Sequence, residues 1–326
     1  MTKFIRRLQK IGSTILVSLP KEWVDANKLD KKSEVELETG RDSLSISVTK
    51  ENRPSKDVII SYPLPKDENI VADITGAYLL GYDIIRIQGK KSIPIEDREK
   101  IRNSTRRLVG MEIIDEDASN VNLQFLLDAT TLQPDKILKR ISALALGMYN
   151  DVVSGLISDD KSNLLTLSNR DVEVNRQYFL LVRLIRSTMI DVRLAGALSL
   201  ENIDILDYRI AANILEIAGD TIAELGNSIA NTTLSKNDLK QLHELTKEFA
   251  PIAVISIDAF TKNDRTLAIQ AIAQHKKHQE KITKFRTLLE KKKQIPIGYL
   301  DLIYKFERIA KSWDDVVDLV KPIYSQ

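Results

Sequence analysis

Cysteine is absent from the 326 residues, which excludes a disulfide framework, thiolate metal sites and thiol catalysis. Histidine is scarce: three residues, with no Ser-His-Asp candidate and no pairing of titratable groups that makes an acid/base set, so no enzyme is expected. The 12 glycines form no nucleotide fingerprint, since Gly89-Lys90-Lys91 lacks P-loop spacing and Gly76 and Gly81 belong to no glycine-rich phosphate cradle. No uninterrupted apolar run approaches the length that crosses a bilayer, and the first residues hold no apolar leader core. A cytoplasmic setting without membrane insertion is expected, a membrane being reached only through a partner.

What is present is a chain of ordinary globular composition, 43% hydrophobic and 29% charged, long enough for two or three domains. Its net charge of +2 hides an asymmetry: residues 1–32 carry eight basic side chains against three acidic ones, which leaves the remainder at −3. A basic head on a slightly acidic body is an electrostatic footprint for nucleic acid; a solvated charged surface is the alternative.

In residues 1–52, Ile15, Val17 and Leu19 alternate with Leu16 and Ser18 as in a strand. Gly12-Ser13 supplies the turn from an earlier strand over 3–9, and Pro20 suits the start of a short helix through Val24. Strands over 34–38 and 43–49 follow, joined at Gly40-Arg41-Asp42. A module of this size has too little core to stand alone and should pair with a second copy or dock on the rest of the chain. Basic strand, glycine turn, apolar strand and Pro-Lys-Glu resemble the SpoVT/AbrB family of swapped-hairpin DNA-binding domains. The resemblance implies a homodimer that presents Arg6, Arg7 and Lys10, with Lys3 beside them, to DNA. Arginine can fork onto phosphate or guanine edges, whereas lysine acts as a point charge on phosphates. A dimerisation domain without DNA contact is the other reading.

Prolines at 54, 63 and 65 mark an exit, with a linker expected over 50–56. Residues 53–130 then read as strand (58–62), helix (67–80), strand (82–88), helix (94–109) and two strands (111–115, 121–127). The order βαβαββ predicts a small mixed sheet with helices on one face. Arg102, Arg106 and Arg107 are read as exposed helix surface rather than as an extension of the basic face.

Residues 131–326 carry long apolar helical stripes and an internal repeat. Sliding Tyr208–Asp220 by 91 places Tyr299 on Tyr208, Phe306 on Leu215, Glu307 on Glu216 and Lys311 on Asp220; Gly155–Ser162 answers Ala259–Thr266 at an offset of 104. Expected helices run over 134–157, 161–184, 185–196 and 208–230, then 236–260, 264–292 and 297–321. Glu216 and Asp220 are four apart and share one helical face. That E-x-x-x-D helix resembles the PhoU family of phosphate-uptake regulators, built from two similar three-helix bundles whose D/E-x-x-x-D motifs converge on metal ions.

Carried onto this chain, the first bundle offers Asp171, Asn175, Glu216 and Asp220 to a divalent or iron-type ion, one carboxylate short of the pattern. A solvated acidic face is the alternative for Glu216 and Asp220. The second copy reads His275, Gln279, Glu307 and Lys311, so that bundle is expected to be metal-free, with Lys311 pairing Glu307. His275 and His278 share a face, but Lys276, Lys277 and Lys281 surround them, and an exposed basic helix is expected there. Trp313 is expected in the core.

The fold class expected is multidomain α+β: a swapped-hairpin β module over 1–52, an α/β connector over 53–130, and a pair of three-helix bundles over 131–326. The order looks like that of archaeal PhoU-domain regulators. It implies a DNA-binding transcriptional regulator of phosphate homeostasis, with a phosphate-transporter ATPase among its partners. The alternative is a signalling adaptor that acts on proteins without DNA binding of its own.

Overall fold

The computed structural model describes residues 4–39, 44–48, 55–291 and 294–320, and the chain divides into two units, Met1–Pro54 and Ser55–Gln326. In the first unit, β1 (Gln9–Ile11) and β2 (Thr14–Leu16) pair antiparallel, with Lys10 opposite Ile15. Gly12 makes the tight turn at φ +62°, the left-handed region that glycine enters at no steric cost. The short helix α1 (Lys21–Ala26) starts just after Pro20, and β3 (Val35–Thr39) pairs antiparallel with β4 (Leu44–Val48). The first hairpin is shorter than the expected strand over 3–9, and Lys3 lies outside the described residues.

No described residue of this unit is buried. Ile5 is 94% exposed, Leu8 70%, Ile11 65% and Ile15 63%, so the apolar side chains that alternation would turn inward have nothing of their own unit to turn toward.

The second unit begins with a four-stranded sheet of order β5-β6-β8-β7: β5 (Asp57–Tyr62), β6 (Ile84–Gly89), β7 (Met111–Glu116) and β8 (Asn120–Phe125). Strand β5 runs parallel to β6, and the other two pairings are antiparallel. Helices α2 (Ile70–Leu79) and α3 (Ile95–Arg106) pack on one another and, with Ile74, Tyr78 and Ile101, bury Ile85, Ile87 and Leu123 of the sheet. Gly81 ends α2 at φ +79°, as a helix C-terminal glycine should. The mixed βαβαββ sheet of the sequence reading is thus present.

After a proline entry come α4 (Pro134–Gly155), α5 (Leu167–Ile190), the short α6 (Val192–Ala197), α7 (Asn202–Ala230), α8 (Lys236–Thr246), α9 (Phe249–Lys262) and α10 (Arg265–Glu290). Helix α11 (Ile297–Val317) closes the order. Helices α4, α5 and α7 form one bundle and α9, α10 and α11 a second, joined where α7 meets α11 and α4 meets α9. The repeat read from the sequence is therefore a repeat of structure, α7 answering α11.

Three boundaries differ from expectation, each with a cause. The helix expected over 236–260 is broken into α8 and α9, because Pro251 lacks the N–H for the ladder and its ring would strike the carbonyl four residues earlier. The helix expected from 161 begins at Leu167, after a 3₁₀ turn over Ser162–Thr166, and continues to Ile190. There Asp191 stops it and caps α6, its carboxylate accepting from the N–H groups of Arg193 (3.2 Å) and Leu194 (3.3 Å). Helix α7 starts six residues before Tyr208, fixed by a capping box between Glu201 and Asp204.

The seam between bundles is aromatic. Tyr149 of α4 packs edge-on against Phe249 (5.1 Å) and Phe306 (5.9 Å), and its hydroxyl donates to the Thr246 carbonyl at 3.0 Å. Trp313 of α11 is fully buried, lies 5.7 Å from Phe249, and donates its indole N–H to Ser142 Oγ of α4 at 3.0 Å. Each buried polar atom here has a partner, so the apolar burial is not offset by stranded donors.

Candidate functional site

Two places carry chemistry, one in each unit. In the first, Lys10 is exposed on β1, while Arg6 and Arg7, expected on the same strand, are exposed in the coil just before it. Arg6 stacks over the Phe4 ring at 5.5 Å, a contact that leaves its guanidinium in solvent. A row of long basic side chains on a solvent-facing hairpin presents point charges and donor forks to a polyanion.

In the second unit, α5 brings Asp171 beside Asp220 and Glu216 of α7, and Asn175 bonds Asp171. Close approach of the helices is possible because Gly219 faces Asp171: a Cβ there would come within 3.0 Å of Asp171 Oδ1 and of Val174. Asp171 is 9% exposed; its Oδ2 accepts from Asn175 Nδ2 at 2.8 Å, but Oδ1 is buried with no hydrogen-bond partner. Burial, then the neighbouring Asp220 and Glu216, push the Asp171 carboxyl up to about 7. Burial and Asp220 likewise raise Glu216, while Arg209 pulls it down. The cations nearest in sequence are engaged elsewhere: Arg170 pairs with Asp151, and Arg176 with Glu173 at 2.7 Å. The result is a part-buried knot of like charge with an orphaned oxygen.

A knot of this kind is where a hard cation would be sought. Among the described residues no three His, Asp or Glu side chains stand as a ready-made ligand cage. What the place offers is donor chemistry alone: three carboxylates and one amide on neighbouring helices, with Asp171 Oδ1 lacking a hydrogen-bond donor. A divalent ion held by Asp171, Glu216, Asp220 and Asn175 would cancel the mutual repulsion and tie α5 to α7.

The second bundle is different. His275 is 6% exposed and His278 5%, which corrects the expectation of an exposed basic helix: the lysines flank the histidines in sequence but point outward, while both imidazoles turn inward. Nε2 of His275 shares a hydrogen bond with Ser256 Oγ at 2.8 Å, and both rings pack near Phe249. Burial lowers both imidazoles, His278 down to about 4, so they stay neutral. The expected Lys311–Glu307 pair is also corrected. Lys311 bonds Asp314 (2.8 Å) and Asp315 (2.9 Å), whereas Glu307 accepts from Gln279 (2.5 Å) and Arg286 (2.7 Å).

Arg183 of α5 was not singled out by the sequence reading. It is 5% exposed at its side chain and donates to the carbonyls of Tyr78 and Tyr82, both at 2.8 Å, and to Asp83 at 3.1 Å. Its guanidinium lies 3.9 Å from the Phe125 ring centre and 5.0 Å from that of Tyr78. This one side chain clamps the bundle to the turn between α2 and β6. The only signal in the sequence is a lone arginine inside the apolar run LLVRLI.

With this geometry in view, residues 8–56 match the family described as "Antidote-toxin recognition MazE, bacterial antitoxin". Lys10 falls inside the matched stretch; Arg6 and Arg7 immediately precede it. No curated protein matches the chain. Among solved structures, PhoU from Pseudomonas aeruginosa is similar with a TM-score of 0.46 and 17% identity, over 57% of this chain and 93% of that one. The phosphate transport system regulatory protein PhoU from Streptococcus pneumoniae is similar with a TM-score of 0.44 and 18% identity, over 57% of this chain and 91% of that one. Among the described residues no helix is long and apolar enough to cross a membrane.

Proposed function

We propose that the protein is a DNA-binding transcriptional regulator of phosphate uptake, gripping DNA through a dimer of its N-terminal units and sensing state through its helical body. The observation that carries the DNA half is the basic hairpin itself: it has no buried residue of its own, and its chain segment matches an antitoxin family model. A unit that leaves Ile5, Leu8, Ile11 and Ile15 exposed gains most by burying them against a second copy, and pairing doubles the set of Arg6, Arg7 and Lys10. The phosphate half of the reading rests on the resemblance of the E-x-x-x-D helix, and of the repeat it belongs to, stated above. In this reading the acid site of the first bundle takes a divalent or iron-type ion, and a phosphate-transporter ATPase is a protein partner.

A second reading has its own support, because the matched family is described by recognition of a protein toxin. The head would then serve an adaptor that seats a protein and leaves DNA alone. Gel retardation of promoter DNA from phosphate-transport genes, across a salt series, separates the two. The expected result is a shift that weakens with salt, the logarithmic slope falling by roughly 4 in an Arg6→Ala, Arg7→Ala dimer that loses four phosphate contacts. A folded dimer that retards no promoter at low salt would leave the adaptor standing.

A further inference from the structure

The four-stranded sheet has two outer strands, and they are finished differently. Strand β7 is guarded: a bulge breaks its register between Ile113 and Asp115, and Glu116 is tied to α3 by Arg98 (2.7 Å) and Arg102 (3.2 Å). Strand β5 carries no such device. Asp57–Tyr62 has no bulge, lysine or proline, and among the described residues no strand pairs with its outer side. The carbonyls of Lys56 and Tyr62 accept from the N–H groups of Ile84 (3.0 Å) and Lys90 (3.2 Å), so residues 56, 58, 60 and 62 bond inward to β6. Asp57, Ile59 and Ser61 therefore turn their own N–H and C=O groups outward. Their side chains share the sheet face opposite the buried Ile60, and Ile59 is 57% exposed.

We infer that β5 is a seam between two copies of this chain, joined by antiparallel pairing of β5 with β5 about a two-fold axis at Ile59, which merges two four-stranded sheets into one. The occupant is a second copy because the edge is complementary to itself. Of the two-fold registers, the one about Ile59 alone sets all three outward residues against one another: Ile59 meets Ile59, and Asp57 meets Ser61 on either side. Each of these pairs exchanges two main-chain bonds. Apolar faces apolar on the axis, and the Ser61 hydroxyl can donate to Asp57, whose charge is already balanced by Arg86 at 2.7 Å. No like charges are opposed. A foreign strand would satisfy the same main-chain groups but has no cause to present this order of side chains. The inference stands on the body and does not need the DNA reading. Only Ser55 and Lys56 separate Pro54, the last residue of the first unit, from β5, so the proposed pairing of heads would hold two β5 strands at high effective concentration.

Because the chain has no cysteine, a single introduced thiol reports the register in the full-length protein. Cα atoms paired on the axis lie about 5.5 Å apart, within reach of a disulfide. Under mild oxidation by copper-phenanthroline, read on a non-reducing gel, Ile59→Cys is expected to cross-link into a dimer. Asp57→Cys by itself and Ser61→Cys by itself are not, their like positions standing roughly 14 Å apart, whereas a mixture of the two, exchanged before oxidation, should cross-link. Ile114→Cys, half-exposed on the bulged β7, measures random collision. Ile59→Cys that cross-links no faster than Ile114→Cys overturns the seam; if the native chain is nevertheless a dimer by light scattering, the pairing of heads survives that failure. Cross-linking of Asp57→Cys with itself overturns the axis at Ile59. A native chain that stays monomeric at every concentration sinks the seam and the pairing of heads together.

Discussion

The head and the body of this chain solve the problem of apolar surface in opposite ways. The body buries Trp313, Tyr149, Phe249 and Phe306 around one another and satisfies their polar atoms internally; the head leaves Ile5, Leu8, Ile11 and Ile15 in solvent. Stability in the body is accordingly a property of one chain. In the head, on the proposed pairing of two copies, it would depend on a partner and so on concentration. Segments of similar apolar content can thus differ in whether they fold alone, and the difference is the presence of facing layers rather than the count of hydrophobic residues.

That contrast can be broken in several ways. The largest expected effect is on dilution: amide hydrogen exchange in residues 9–39 should rise to that of an unfolded segment once chains separate, while α4 and α7 keep their protection. Equal protection of both at every concentration would show that the head has a core of its own. Next, Trp313→Ala removes the seam residue between the bundles and its bond to Ser142, so urea unfolding of the body followed by circular dichroism should weaken by about 3–5 kcal/mol. Arg183→Ala leaves two carbonyls and Asp83 without their buried donor and should cost about 3 kcal/mol, against a smaller loss if the clamp is a surface contact.

The smallest effect is a matter of sign. The Asp171 carboxyl is raised in the folded chain, so the fold favours its protonated form. That contribution is complete below about pH 4, the unfolded value, and is lost as pH rises through the folded one. With no metal added, Asp171→Asn, a permanent neutral substitute, should therefore be more stable than the native chain by about 1–2 kcal/mol at pH 8 and indistinguishable from it near pH 4. A variant that is weaker at both pH values would mean that Asp171 is paired rather than repelled.

Much of this molecule could be read before its coordinates. Tyr208 and Tyr299, with Glu216 and Glu307, announced the repeat because both copies spend the same residues on the same helix face, and the Gly12 turn was legible because one residue type dominates its backbone region. That Asp171 of α5 lies beside Asp220 and Glu216 of α7 is set by helix packing, which no spacing within either helix could give. What escaped were features set by distant chain. Arg183 finds its acceptors about a hundred positions away, on backbone carbonyls that have no sequence signature. His275 and His278 looked exposed because lysines outnumber them locally, yet a period of three puts both on the inward face of α10. Glu307 was assigned the cation one turn away when Arg286 from the neighbouring helix had the better approach.

The chain's two tryptophans fall one to each unit: Trp23 in the short helix α1 of the head, partly covered, and Trp313 in the dark centre of the body. Nature has thereby labelled the two regions separately. With Trp313→Phe the only indole emission left comes from the head, and with Trp23→Phe only from the body. A change in the head and a change inside the bundles can then be followed in one cuvette, without attaching a dye.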